Sequence, residues 1–167
     1  GPLRFAPTAW RDRVFVACDD GFLYALTLDD GRLLWKHQGG PNARMCLGNG
    51  RMISRWPARG GPVVWDDTVY YAAGIWPSEG IYIHALDAAS GTVRWTNDRA
   101  GSLYMPQPHG GANAASGVAA QGYLLATAER LLVPTGRAVP EANYLLVAAD
   151  NLRGPQPLGG SLRIGPK

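Results

Sequence analysis

Apolar and β-branched residues come in short runs along this chain, and turns containing Asp, Gly or Ser separate the runs. The first of these runs predict four strands, at about 7–10, 13–18, 22–27 and 32–37. Glycine in the turns between them supplies the left-handed backbone that tight turns need. No stretch sustains helical periodicity over about ten residues. The pattern therefore predicts an all-β chain built from four-stranded antiparallel meanders.

The strand pattern repeats. Residues 25–35, ALTLDDGRLLW, align without a gap with residues 85–95, ALDAASGTVRW. Upstream, residues 7–16 match residues 62–71, and a third, partial copy at 124–133 lacks the Gly-x-x-x-Trp ending. We therefore predict one repeat unit at about 5–38, a second at about 61–97, an incomplete third at about 122–142, and a divergent or poorly ordered tail at 143–167.

A lone four-stranded sheet would leave its apolar faces in water, and the radial stacking of such sheets in a β-propeller buries them. The expected architecture is therefore a partial β-propeller of about three four-stranded antiparallel blades, the third incomplete. The tryptophan that closes each repeat has a large apolar ring and an N–H donor, which suit contact with a neighbouring blade. We assign a structural, blade-docking role to Ala25, Gly31, Trp35, Ala85, Asp87, Gly91 and Trp95.

The motif Ala-x-Asp-x-x-x-Gly-x-x-x-Trp resembles the tryptophan-docking motif of the pyrroloquinoline quinone (PQQ) type of β-propeller. The copy at 85–95 fits fully, and the copy at 25–35 departs at Thr27, where the family prefers Asp. Four further segments of the chain are similar to bacterial PQQ-binding-like β-propeller repeat proteins. These segments are 48–57, 74–77, 106–109 and 133–137. The family includes quinoprotein dehydrogenases and a non-enzymatic outer-membrane assembly lipoprotein, so the motif specifies the fold and not the activity.

The strand order of such a blade divides its connections between two ends. The turns from first to second and from third to fourth strand lie at one end and are short here. The second-to-third loops and the links between blades lie at the other end, and they contain the long excursions at about 38–61, 74–80 and 98–121. Long loops on a rigid scaffold are where binding residues usually lie. We expect function at this loop-rich end.

The loop-rich end is predicted to be basic, because the excursion at 38–61 contains four arginines and no carboxylate. Two interpretations stay open. The arginines bind an anionic ligand or an acidic protein surface, or they hydrogen-bond loop carbonyls and pack against tryptophans. The binding hypothesis involves Arg44, Arg51, Arg55, Arg59, Trp76, His109 and Arg137.

Composition changes this picture little. The chain has 167 residues, 46% of them hydrophobic, and a net charge of +3 spread along its length. These values are typical of a folded domain and do not indicate a nucleic-acid partner. No run of about 18 apolar residues predicts a membrane-spanning helix. The first residues lack a basic segment followed by an apolar run, so we expect no signal peptide in this chain.

Side chains that could bind metals or perform catalysis show no recognisable spacing. Cys18 and Cys46 fit neither a zinc pattern nor a CxxC pair, and we expect free thiols, with a disulfide between them as the alternative. His37, His84 and His109 are far apart in sequence, so we predict no metal site and no catalytic residues. We expect His84, which lies on a predicted strand, to be a core residue rather than a base.

The resemblance implies two different functions. A PQQ dehydrogenase needs a complete ring around the quinone, Ca²⁺ held by oxygen ligands, and an aspartate base. Three blades fall short of the usual four to eight, and the vicinal cysteine pair of quinoprotein alcohol dehydrogenases is absent. We therefore predict a non-catalytic binding or scaffold segment of a larger PQQ-like propeller protein, with no cofactor of its own.

The alternative is a fragment of a PQQ-dependent quinoprotein dehydrogenase whose catalytic blades are missing, in which PQQ and Ca²⁺ would bind only to the complete ring. A regulatory domain attached to an unrelated enzyme is a third hypothesis. In each case we expect the parent protein to be periplasmic or otherwise extracytoplasmic. The expected partners are the remaining blades, or further copies of the chain, which exposed blade faces would bring together.

Overall fold

A computed structural model describes residues 1–48, 50–99, 103–106, 113–116, 119–120, 122–134 and 144–147. Within these residues the chain forms strands, together with one 3₁₀ turn at Pro77–Glu79. The strands in chain order are β1 (Thr8–Trp10), β2 (Arg13–Ala17), β3 (Phe22–Thr27), β4 (Leu33–Gln38), β5 (Met45–Gly48), β6 (Arg51–Ser54), β7 (Val63–Trp65), β8 (Thr68–Ala73), β9 (Tyr82–Asp87), β10 (Val93–Asn97), β11 (Leu103–Pro106), β12 (Asn113–Ser116), β13 (Leu125–Ala126), β14 (Leu131–Pro134) and β15 (Tyr144–Val147).

The strands form successive antiparallel meanders. Strands β1 to β4 make one four-stranded sheet, which we call blade 1, and β7 to β10 make a second, blade 2. Strands β13 to β15 make a three-stranded sheet, blade 3. The prediction of an all-β chain is confirmed, and the strands of blade 1 begin and end close to the expected positions. No helix in the described part of the chain is long and apolar enough to cross a membrane.

The hydrophobic core lies between successive blades. Alternate residues of a strand point to opposite faces of its sheet, so each blade can bury one face against each neighbour. The cluster between blades 1 and 2 contains Phe15, Ala17, Leu23 and Ala25 from blade 1 and Val69, Tyr71, Ala73 and Leu86 from blade 2. The cluster between blades 2 and 3 contains Tyr70, Ala72, Ile83, Ala85, Leu124, Ala126, Leu131 and Val133. The same strand positions are used in both clusters.

Trp35, which closes the first repeat, contacts the turn between β9 and β10 of blade 2. Its Nε1 donates a hydrogen bond to the Ala89 carbonyl at 3.2 Å. A Cβ atom on Gly91 would lie 2.6 Å from the Trp35 ring, so the ring lies directly on the backbone of that turn. The Arg13 guanidinium donates to the same Ala89 carbonyl at 2.7 Å. The short turns at this end of the blades therefore take part in the contact between blades.

Blade 2 has Asp87 in its turn, where blade 1 has Thr27. The Asp87 carboxylate accepts hydrogen bonds from Arg94 and from Ser90, and these hold its pKa down to about 2. In blade 1 the Thr27 hydroxyl hydrogen-bonds the Asp30 carboxylate and accepts from the Arg32 backbone N–H at 2.8 Å. Although blade 1 has Thr27 in place of the aspartate, its turn still contains a carboxylate, which Asp30 supplies.

The excursions at 38–61 and 98–121 contain strands of their own, so their interpretation as loops without secondary structure was wrong. Strands β5 and β6 pair as a hairpin, and β11 pairs with β12. The missed signal in the first excursion is the dipeptide Asn49-Gly50, which is typical of a two-residue hairpin turn. Gly50 has a φ of 73°, a left-handed value that such a turn requires.

Blade 3 takes its third strand from Tyr144–Val147, which pairs with β14. The sequence boundary at residue 142 therefore falls just before a strand. The run Tyr-Leu-Leu-Val is apolar and β-prone, but no Gly-x-x-x-Trp ending follows it to mark it as part of a repeat.

Gly31 and Gly91 occupy equivalent turns in blades 1 and 2, with φ values of 71° and 75°. A Cβ atom at Gly31 would meet nothing within 4 Å, whereas one at Gly91 would collide with the Trp35 ring. We expect Gly31→Ala to lower the free energy of unfolding by about 1 kcal/mol, from backbone strain alone. Gly91→Ala should lose about 2 kcal/mol more, because Trp35 must move.

Urea unfolding followed by tryptophan fluorescence would measure both losses. Equal losses for Gly31→Ala and Gly91→Ala would contradict the close contact of the Trp35 ring with the backbone of Gly91.

Candidate functional site

A buried carboxylate lies at the loop-rich end, in the turn between β2 and β3. Asp19 is 0% exposed and accepts hydrogen bonds from Arg4 Nε at 2.8 Å and from Arg59 Nε at 3.0 Å. Its backbone carbonyl accepts from the Ser54 N–H at 2.8 Å. Arg4 belongs to the N-terminal segment, and Arg59 and Ser54 to the 38–61 excursion. Asp19 therefore ties both segments to blade 1.

A second ion pair joins two excursions to each other. Arg55 in the 38–61 excursion pairs with Glu79 in the 3₁₀ turn between β8 and β9. The neighbouring Trp56 is 5% exposed, and its Nε1 donates to the Glu79 carbonyl at 2.6 Å. The Trp56 ring also lies against Gly40, where a Cβ atom would come within 2.8 Å of the ring. These contacts hold both loops in one arrangement.

The other residues of the binding hypothesis have different environments. Arg44 and Arg51 are exposed on the β5–β6 hairpin, and neither forms an ion pair with another described residue. Trp76 is 39% exposed beside the 3₁₀ turn. His109 and Arg137 lie outside the described residues. Of the four arginines of the excursion, the structure places Arg55 and Arg59 in internal ion pairs and Arg44 and Arg51 on the surface.

His37 and His84 meet between blades 1 and 2, with ring centroids 4.8 Å apart. Although the two histidines are far apart in sequence, they meet because His37 on β4 of blade 1 contacts Tyr71 on β8 and His84 on β9 of blade 2. His84 is 4% exposed, and its ring stacks on Tyr71 with centroids 4.9 Å apart. The expectation that His84 is a core residue is confirmed.

Both ring nitrogens of His84 have hydrogen-bond partners. Nε2 lies 2.9 Å from the Gly39 carbonyl, which can only accept, so Nε2 carries the proton of the neutral ring. Nδ1 lies 2.9 Å from the Thr96 hydroxyl and accepts from it. Burial lowers the pKa of His84 to about 4. A neutral ring with both nitrogens engaged serves the structure and is not arranged as a general base.

His37 is half-buried beside this ring, and its Nδ1 lies 2.6 Å from the Tyr71 hydroxyl. Burial lowers the pKa of His37 and raises the pKa of Tyr71 well above its usual value. The two side chains therefore share a hydrogen bond between neutral groups. No pattern in the sequence predicts that β4 lies near β8. The contact between His37 and Tyr71 is therefore visible only once the two blades are packed face to face.

Within the residues that the structure describes, no three His, Cys, Asp or Glu side chains lie close enough together to hold a metal ion. Cys18 and Cys46 form no disulfide, and burial raises the pKa of the Cys18 thiol.

Comparison with family models and with curated proteins finds no match for this chain. Among solved structures, it is similar to the quinohemoprotein alcohol dehydrogenase from Comamonas testosteroni, at 18% identity and a TM-score of 0.57, over 83% of this chain and 22% of that one. This similarity shows the fold alone and, with the successive four-stranded sheets, confirms a partial β-propeller. The chain spans about a fifth of the length of that dehydrogenase.

Two further structures resemble the chain more weakly. Quinohemoprotein alcohol dehydrogenase ADHIIG from Pseudomonas putida HK5 shares 19% identity at a TM-score of 0.48, over 78% of this chain and 16% of that one. BamB from Moraxella catarrhalis shares 16% identity at a TM-score of 0.42, over 79% of this chain and 42% of that one. TM-scores below 0.5 are too low to support further argument.

The buried Asp19 should contribute far more to stability than a surface carboxylate does. Asp19→Asn removes the counter-charge of both Arg4 and Arg59, and we expect it to lower the free energy of unfolding by about 3 kcal/mol. Asp67→Asn is the matched control, because Asp67 and its partner Arg11 have side chains that are 52% and 64% exposed. The control should lose no more than about 0.5 kcal/mol. Similar urea midpoints for the two variants would contradict a structural role for Asp19.

His84 should make the protein less stable in mild acid. The pKa of His84 is about 4 in the folded chain, against an ordinary value of 6.5 that applies to the unfolded chain. The unfolded state therefore takes up a proton first as the pH falls, and stability is lost between about pH 6.5 and about pH 4, by up to about 3 kcal/mol. Above about pH 7 this group causes no loss.

His84→Gln removes this proton uptake while leaving the titration of His37 in place. We therefore expect the unfolding free energy of the variant, measured by urea titration at several pH values, to fall less steeply below pH 6.5 than that of the parent chain. Parallel pH profiles for the two proteins would show that His84 does not titrate as the buried geometry requires.

Proposed function

We propose that this chain is a non-catalytic binding or scaffold segment of a larger PQQ-like β-propeller protein, with its partner contacts at the loop-rich end. One observation carries the proposal. Four buried or half-buried titratable side chains at that end, where the excursions emerge, hydrogen-bond within the fold: Asp19, His37, Glu79 and His84. They shape a rigid platform and are not arranged for acid–base chemistry.

The scaffold part of the proposal is supported by the exposed face of blade 1. Val14, Val16 and Leu26 occupy the same repeat positions as Val69, Tyr71 and Leu86, which are the blade 2 residues that blade 1 covers. Val14, Val16 and Leu26 are only half-buried. A further blade placed before blade 1 would cover them as blade 1 covers blade 2, since each blade buries both of its faces in a propeller.

The alternative is a fragment of a PQQ-dependent quinoprotein dehydrogenase. The fold similarity to the alcohol dehydrogenase from Comamonas testosteroni favours it. In that case the residues that bind PQQ and Ca²⁺ lie in blades other than those described, and this chain contributes part of the ring wall. Under both hypotheses we propose an extracytoplasmic location for the parent protein.

Cofactor retention separates the two functions. We expect the chain, after incubation with PQQ and Ca²⁺ and removal of free ligand on a desalting column, to show no quinone absorbance. The same incubation with EDTA in place of Ca²⁺ is the control for adventitious binding. Stoichiometric quinone absorbance that requires Ca²⁺ would overturn the non-catalytic proposal and favour the dehydrogenase fragment.

A further inference from the structure

Two arginine side chains meet on the buried carboxylate of Asp19 at the loop-rich end. Arg4 Nε donates to Oδ2 at 2.8 Å and Arg59 Nε donates to Oδ1 at 3.0 Å, so each guanidinium group binds a different oxygen of one carboxylate. Asp19 is 0% exposed, and it therefore fixes the position of both groups. We call Arg4, Asp19 and Arg59 the paired-arginine site.

The repeat shows how the two arginines come together. Arg4 and Arg59 hold equivalent places, because the residue before each one forms an isolated bridge to the end of the second strand of its own blade. The residue of blade 2 that is equivalent to Asp19 is Gly74, which has no side chain. Arg59 therefore has no carboxylate at that place in its own blade, and it reaches Asp19 of blade 1, beside Arg4.

Most of the hydrogen-bond donors of the two guanidinium groups stay unused in this arrangement. A guanidinium group donates through Nε and through both η nitrogens, and Asp19 takes only the Nε donor of each arginine. The η nitrogens have no partner among the residues that the structure describes. Solvent reaches them, because Arg4 is exposed and no unpaired nitrogen of Arg59 is buried. These donors are free to bind a ligand.

The paired-arginine site also carries an excess positive charge. Two guanidinium groups share one carboxylate, and no other acidic side chain in the described part of the chain forms an ion pair with either arginine. The Arg59 side chain is only 15% exposed, so its charge is largely removed from water. Such a charge is costly unless it is paired. A second anion on the η nitrogens would supply the missing counter-charge.

We infer that the paired-arginine site binds the phosphate group of a ligand, which accepts hydrogen bonds from the η nitrogens of Arg4 and Arg59 together. Arginine binds carboxylate and phosphate oxygens through two parallel N–H···O bonds. One guanidinium group already occupies both oxygens of a carboxylate in this way, whereas a phosphate group keeps further oxygens for a second guanidinium group. The inference rests on the proposed function in that it names a ligand class for the loop-rich end.

Phosphorus NMR on the 167-residue chain tests the inference, with inorganic phosphate as the probe. We expect the chain to broaden the phosphate resonance in a saturable way at constant ionic strength. Arg4→Lys keeps the charge opposite Asp19 but removes the planar η nitrogens, and it should weaken binding by about tenfold. Arg59→Lys should have a similar effect. If its urea midpoint shows that it does not fold, Arg4→Lys decides the test.

Arg11→Lys is the matched control, because it makes the same change at the short-turn end, where the Arg11 side chain is 64% exposed and pairs with Asp67. It should bind phosphate as tightly as the parent chain does. Equal binding by Arg4→Lys and Arg11→Lys would attribute the effect to net charge and overturn the inference. Absence of phosphate binding, or displacement of phosphate by an equal concentration of the dicarboxylate succinate, would overturn it too.

Sedimentation with vesicles distinguishes two sources of the phosphate group. Sedimentation with phosphatidic acid vesicles and not with phosphatidylcholine vesicles, lost in Arg4→Lys, would identify a lipid head group. Binding of free phosphate without sedimentation would identify a soluble phosphate compound, and both results support the inference. Retention of PQQ that requires Ca²⁺ would refute the non-catalytic proposal and leave the phosphate result standing, so the two failures are distinguishable.

Discussion

Face-to-face burial of neighbouring four-stranded sheets is the interaction on which the rest of this structure depends. Each blade has two faces, and Phe15 and Leu23 reach one neighbour while Val14 and Val16 point away from it. Because the repeats place equivalent residues on equivalent faces, one mode of contact serves both junctions. It also sets the distance between the short turns, which lets Trp35 reach the backbone at Gly91.

The same burial determines the chemistry of the polar groups at the junction. His84 lies between the blades with partners for the neutral ring, and the low pKa of about 4 follows from its removal from water. Asp19 is buried in the β2–β3 turn, outside the junction, and Arg4 and Arg59 both reach its carboxylate, which offsets the cost of its removal from water. Groups that would suggest catalysis in a sequence are used here to hold segments together.

The two ends of the blades have separate roles for a geometric reason. Short turns at one end bring neighbouring blades into contact, while links and second-to-third loops at the other end can lengthen without disturbing the sheets. Glu79 and Trp56 show how the added length is stabilised, through contacts between excursions. The β5–β6 hairpin rises from this fixed base and presents apolar side chains to the solvent.

The sequence alone determined the four-stranded meanders of blades 1 and 2 and their repeat, because alternation of side chains and turn chemistry act over a few residues. It also contained the dipeptide Asn49-Gly50, which is typical of a hairpin turn. The tertiary structure decided which charged side chains form ion pairs and which histidine rings contact each other. Arg55 lies in an excursion without carboxylates, yet Glu79 from another excursion pairs with it, and His37 meets His84 across a junction. These contacts depend on how separate blades and loops are placed against each other, and no local pattern records that placement.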